Sequence, residues 1–190
     1  MKTDWSGSGS PIRGLHWSLM ALLLLSQSAC TRAADPEAKL PLGELSEVRI
    51  VATVTPGKPG APSESISAAK DAEGFSLRVA RIEDSGSPLR QEHIDLPKPA
   101  FDKLWQEIER QDIRNLAITA EKQRSFDFGE RRLCVEWKRA GAKVAQKRDL
   151  VWIQPLQKDQ RRRVEAIFSS LNALRAEYAR KVPLYYFPDR

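Results

Sequence analysis

The composition of this 190-residue chain limits what the protein can be before any motif is considered. A chain of this length holds one domain with a hydrophobic core and hardly two. Its two cysteines and two histidines exclude a disulfide framework and a zinc site built on several histidines. The net charge of +6 favours contact with anionic surfaces but does not by itself indicate nucleic acid.

The first 29 residues have the layout of a secretory signal peptide. Lys2 and Arg13 precede an apolar run at residues 15–25, and small or polar residues follow at positions 26–29. The apolar run is shorter than the roughly 20 residues that a helix needs to cross a bilayer. We therefore predict that the chain is exported from the cytoplasm. An exported protein would rarely meet nucleic acid.

The pair Ala29-Cys30, which follows the leucine run, resembles the cleavage site of bacterial lipoproteins. Ser28 and Ala29 are small, as in that family, whereas Gln27 stands where the family usually has an aliphatic residue. The resemblance implies a thioether-linked diacylglycerol on Cys30, and so a membrane anchor strengthened by acyl chains such as palmitate. The alternatives are ordinary cleavage after Ala33 or Ala34, or an uncleaved leader that anchors the chain.

Residues 30–46 show no strong period and are predicted to be a tether, followed by a single domain at residues 47–190. Alternating apolar residues predict the strands of the first half of that domain. The segments are residues 47–55 and 75–82, with weaker strands at 65–69 and 91–96.

In the second half of the domain, apolar residues at helical spacing predict two helices, and alternating apolar residues predict a strand pair. Pro97 opens an amphipathic helix that fades near Asp112, and residues 132–138 with a return strand toward 150–153 form a strand pair. A last helix spans residues 156–180, and an apolar tail at 184–188 is expected to dock on the core. The order strands, helix, strands, helix predicts an α+β fold, an antiparallel sheet with both amphipathic helices packed on one face.

The densest basic run is Arg161-Arg162-Arg163 at the start of the last helix. Cations are slightly unfavourable near a helix N-terminus, so the run is a candidate for binding an anionic surface such as lipid or lipopolysaccharide. The alternative is a solvated helix face, which is the commoner outcome for a charge run.

Catalytic and metal-binding patterns are weak in this sequence. His93 is the one histidine after the leader, and a triad would need it beside Ser65 or Ser125 and an acid such as Asp95. No motif marks a nucleophile, Cys134 has the character of a packing residue, and no cofactor or metal site is predicted.

These patterns together favour a non-enzymatic protein of the cell envelope. We predict that Cys30 tethers it to a membrane, in the periplasm or at the outer membrane, and that it binds an envelope protein or an anionic lipid. The alternatives are a small secreted hydrolase that uses His93, and a chaperone-like or inhibitor-like module that binds a protein client.

Overall fold

A computed structural model describes residues 39–83, 85–118, 129–153 and 155–187. The strands are β1 Leu45–Thr55, β2 Ser63–Lys70, β3 Phe75–Ile82, β4 Pro88–Asp95, β5 Glu130–Arg139 and β6 Gln146–Trp152. The helices are α1 Lys98–Arg110 and α2 Lys158–Tyr178, with short 3-10 turns at Leu42–Glu44 and Ile113–Asn115. The strands form one antiparallel sheet in the order β4-β3-β2-β1-β5-β6. The predicted α+β class and element order are confirmed.

One face of the sheet forms the core because its strands alternate apolar and polar residues. In β1, Val48, Ile50, Ala52 and Val54 are buried, as predicted, and the residues between them are not. The register places Ile50 opposite Val135 of β5, so the buried positions of neighbouring strands coincide.

Both helices contribute an apolar stripe to the same core. In α1 the buried residues are Phe101, Leu104, Trp105 and Ile108, the set that the helical period predicts. In α2 the stripe includes Val164, Ile167, Phe168 and Leu171. Burying each large apolar side chain contributes about 1.5–3 kcal/mol, which offsets the ordering of the chain.

The fold extends further toward the N-terminus than the predicted boundary at residue 47. Leu40 is buried in the core, and its backbone N–H donates to Oε2 of Glu109 at 3.0 Å. The Trp105 indole N–H donates to the Leu40 carbonyl oxygen at 2.8 Å. Residues 39–46 of the predicted tether therefore pack as part of the domain, while residues 30–38 lie outside the described residues.

The apolar tail docks on the core through Phe187, as predicted, whereas the side chains of Tyr185 and Tyr186 are exposed and Pro188 lies outside the described residues. Phe187 is buried and stacks on Phe168, with ring centroids 5.5 Å apart. Behind it, the backbone N–H groups of Tyr185 and Tyr186 donate to the two carboxylate oxygens of Glu64, at 2.7 and 2.8 Å. Glu64 itself has no solvent-exposed surface, so a buried carboxylate holds the tail in place.

The opposite face of the sheet carries small and polar side chains. Val51, Ser65, Ser67 and Cys134 lie on this face and are half-buried. An antiparallel sheet commonly leaves one face toward water. Cys134 is therefore a residue of this outer face and does not belong to the core between sheet and helices.

Among the described residues, no helix is both long enough and apolar enough to cross a membrane.

Candidate functional site

A cavity of about 340 Å³ lies where the end of β6 meets the beginning of α2. Its volume falls within the range of roughly 300–1,000 Å³ that is usual for small-molecule sites. Trp152, Leu156, Val164 and Phe168 line the cavity together with the charged residues Arg131, Arg161 and Glu165. Apolar and charged groups therefore meet in one recess.

The apolar wall of the cavity is part of the hydrophobic core. Trp152 ends β6 on the inner face of the sheet, and its ring meets Phe168 edge to face with centroids 5.8 Å apart. Val164 and Phe168 are four residues apart on α2 and so project from the same side of the helix. Phe168 also stacks on Phe187, with ring centroids 5.5 Å apart, so the wall of the cavity is continuous with the core.

The two arginines of the cavity differ in whether a described carboxylate lies beside them. The Nε atom of Arg161 lies 3.5 Å from Oε1 of Glu165, one turn along α2, and both side chains are about half exposed. Arg131 is half-buried, and its guanidinium forms no ion pair or hydrogen bond with any other side chain that the structure describes. The recess therefore contains a cation that forms no ion pair with any residue the structure describes.

Arg131 reaches the cavity because of its register in β5. It lies opposite Trp152 of β6 and Val54 of β1, both of which are buried on the inner face of the sheet. Side chains alternate along a strand, so Arg131 shares this face with Leu133 and Val135. Arg131 was not predicted as a site residue, although its place among the alternating inward apolar residues of β5 is visible in the sequence.

The three arginines of the predicted basic surface have three different environments. Arg161 lines the cavity, and Arg162 is exposed and pairs with Asp159 at 3.0 Å. Arg163 donates from Nε to the carbonyl oxygen of Gln111, and from a terminal nitrogen to that of Asp112, each at 2.6 Å. Arg163 thus caps the C-terminal end of α1 and does not present its charge to a surface.

The residues considered for a hydrolase are not brought together. His93 is exposed on β4, opposite Arg78 of β3. Ser65 is on β2, and with β3 between them the two strands are about 10 Å apart. This separation is beyond hydrogen-bond reach for a nucleophile and its base. Ser125, the other candidate serine, lies outside the described residues.

The remaining thiol and the acidic groups do not form a reactive centre in the described part of the chain. Burial raises the pKa of the Cys134 thiol above its ordinary value, which keeps it protonated and weakly nucleophilic. Within residues 39–83, 85–118, 129–153 and 155–187, no group of three or more His, Cys, Asp or Glu side chains is placed to hold a metal. Cys30, the predicted lipidation site, lies outside these ranges.

No protein-family description matches the chain, and no curated protein sequence matches it.

Proposed function

We propose that this protein is a non-catalytic component of a bacterial cell envelope that acts by binding. In this proposal the leader at residues 1–29 exports the chain, and a lipid on Cys30 holds it at a membrane. The cavity near Arg131 and Arg161 then engages an anionic envelope component. The observation that carries the proposal is a half-buried arginine, unpaired among the described residues, beside an apolar wall.

Binding fits the lining of the cavity better than catalysis does. Glu165 is the one carboxylate among the described lining residues, and Arg161 lies beside it. General acid–base chemistry usually needs two titratable groups in distinct environments around the reacting bond. An arginine stays protonated at any physiological pH, so it serves as an anion-binding group and not as a base.

A client-binding module is supported less well. The edge strand β4 is mostly exposed, which would allow another strand to pair with it. However, it begins with Pro88 and carries Arg90, Glu92, His93 and Asp95. Proline and charged residues on an edge strand are features that discourage strand pairing.

The membrane part of the proposal is tested by replacing each cysteine in turn. Cys30→Ser removes the acceptor for lipid, so we expect the protein to move from the membrane fraction to the soluble fraction. Cys134→Ser is the matched control and should stay with the membrane, because Cys134 lies on the sheet. The intact mass of the wild-type protein should equal that of residues 30–190 plus acyl chains. Retention of the Cys30→Ser protein in membranes would contradict the lipid anchor.

A further inference from the structure

The chemistry of the cavity narrows the class of ligand. Resting on the proposed function, we infer that the cavity binds an alkyl carboxylate, a single hydrocarbon chain that ends in one carboxylate group. Three observations support it: the apolar wall, the absence of an ion pair between Arg131 and any described side chain, and the balance of charge among Arg131, Arg161 and Glu165.

The apolar wall suits a hydrocarbon chain. Trp152, Val164 and Phe168 are each at least nine-tenths buried, so they form a fixed surface that does not need to collapse onto a ligand. Leu156, which is partly buried against the core, extends this surface. Each methylene that leaves water for such a surface should tighten binding roughly fourfold.

Arg131 suits a carboxylate head group. Its planar guanidinium can donate two parallel hydrogen bonds to the two oxygens of a carboxylate. A half-buried cation is less well hydrated than one on the surface. An anion that binds to it replaces part of the favourable interaction with water that the guanidinium lost on burial. No described side chain forms an ion pair with it, so among the described residues its guanidinium remains available to a carboxylate ligand.

The charge balance favours a single negative charge. Arg131 and Arg161 supply two positive charges, and Glu165 supplies one negative charge. One positive charge is left in excess, which matches a monoanion. A doubly charged phosphate would have its second charge near the carboxylate of Glu165, where repulsion weakens binding.

Calorimetric titration of the Cys30→Ser protein with decanoate tests the inference. 1-Decanol has the same chain without the charge, and decyl phosphate has the same chain with a larger negative charge. We expect decanoate to bind at least tenfold more tightly than either. Equal binding of decanol, tighter binding of decyl phosphate, or no binding of decanoate to the folded protein would each overturn the inference.

Two neighbouring arginines on opposite faces of β5 provide a matched pair of variants. Arg131→Gln should bring the affinity for decanoate down to that for decanol and leave decanol binding unchanged. Arg132→Gln should change neither, because Arg132 pairs with Asp149 on the other face of the sheet. Unfolding curves of both variants check that the fold is retained. Unchanged decanoate binding in Arg131→Gln would overturn the inference.

Failure of this inference can be told apart from failure of the membrane anchor. Protein that leaves membranes on the Cys30→Ser change but binds no decanoate contradicts the ligand class alone. Protein that binds decanoate but stays in membranes after the same change contradicts the anchor alone.

Discussion

The Nε atom of Arg163 donates a hydrogen bond of 2.6 Å to the carbonyl oxygen of Gln111. This contact joins the first turns of α2 to the C-terminal end of α1, where helix carbonyl groups have no partner within the helix. The Arg163 side chain is 18% exposed, so the bonded groups are largely shielded from water. A residue in the middle of a basic run is therefore part of the framework of the domain.

Replacing Arg163 should destabilise the domain more than replacing its neighbour. Arg163→Ala removes hydrogen bonds from a cation to two carbonyl oxygens, and we expect a loss of about 1.5–3 kcal/mol in the free energy of unfolding. Arg162→Ala should change it by at most about 0.5 kcal/mol, because Arg162 is 75% exposed. Urea denaturation of both variants measures the difference. Equal losses would show that Arg163 does not act as a cap.

Removing the Glu64 carboxylate should release the C-terminal tail. Glu64→Ala leaves the backbone N–H groups of Tyr185 and Tyr186 without acceptors, and Arg81 loses its nearby anion at 4.0 Å. Leaving a buried hydrogen-bonding group without its partner typically costs about 1–3 kcal/mol. Hydrogen exchange at Tyr185 and Tyr186 should therefore accelerate.

Glu64→Gln is the milder change at the same position. Its amide oxygen can still accept one of the two N–H groups, so exchange should rise less than in Glu64→Ala. Equal protection of the tail in the wild-type protein and in Glu64→Ala would contradict the role given to this carboxylate.

Gly129 should not tolerate a side chain. A Cβ atom at this position would collide with the Thr55 carbonyl oxygen and lie 2.8 Å from Cα of Pro56, and neither backbone atom can move cheaply. We expect Gly129→Ala to destabilise the domain by about 1–3 kcal/mol, the usual cost of overpacking. Gly43→Ala is the control, since its Cβ would meet nothing within 4 Å. Thermal unfolding of the two variants checks this, and equal melting temperatures would refute it.

The ion pair between Arg132 and Asp149 should contribute acid-sensitive stability. Hydrogen bonds from Arg132, and then from Lys147, hold the pKa of the Asp149 carboxyl below its ordinary value in the folded state. The contribution is therefore present above the unfolded pKa of about 4 and is lost as the pH falls through the lower folded pKa. The side chain of Asp149 is 30% exposed, so the gain is at most about 1 kcal/mol.

Asp149→Asn isolates this contribution. The stability difference between wild type and Asp149→Asn should be largest near pH 7 and should shrink toward pH 2. Urea midpoints at several pH values measure it. A difference that does not depend on pH would mean that packing, and not charge, accounts for the effect of Asp149.

Predictions from the sequence succeeded where the signal is local. The alternation of Val48, Ile50, Ala52 and Val54 identified the inner face of β1, because adjacent side chains of a strand point to opposite faces. The spacing of Phe101, Leu104 and Ile108 identified the buried stripe of α1 for the corresponding helical reason. Neither inference requires knowledge of what the buried face packs against.

Predictions failed or were missing where partners are far apart in the chain. Leu40 was assigned to a tether because no period surrounds it, yet Glu109 and Trp105 bind its backbone. The role of Glu64 depends on Tyr185 and Tyr186, which follow it in the sequence by 121 and 122 positions. Arg131 and Trp152 form one recess only because β5 and β6 pair in this register.

The sequence by itself therefore determined the fold class, the element order and the inward faces, since these follow from the period of side chains along one element. Only the tertiary structure decided which arginines are paired within the described part of the fold. Arg163 and Arg131 have the same side chain, but one meets helix carbonyl groups and the other faces a recess. The difference is set by which distant segments fold against each arginine, because hydrogen bonds form between groups that are close in space.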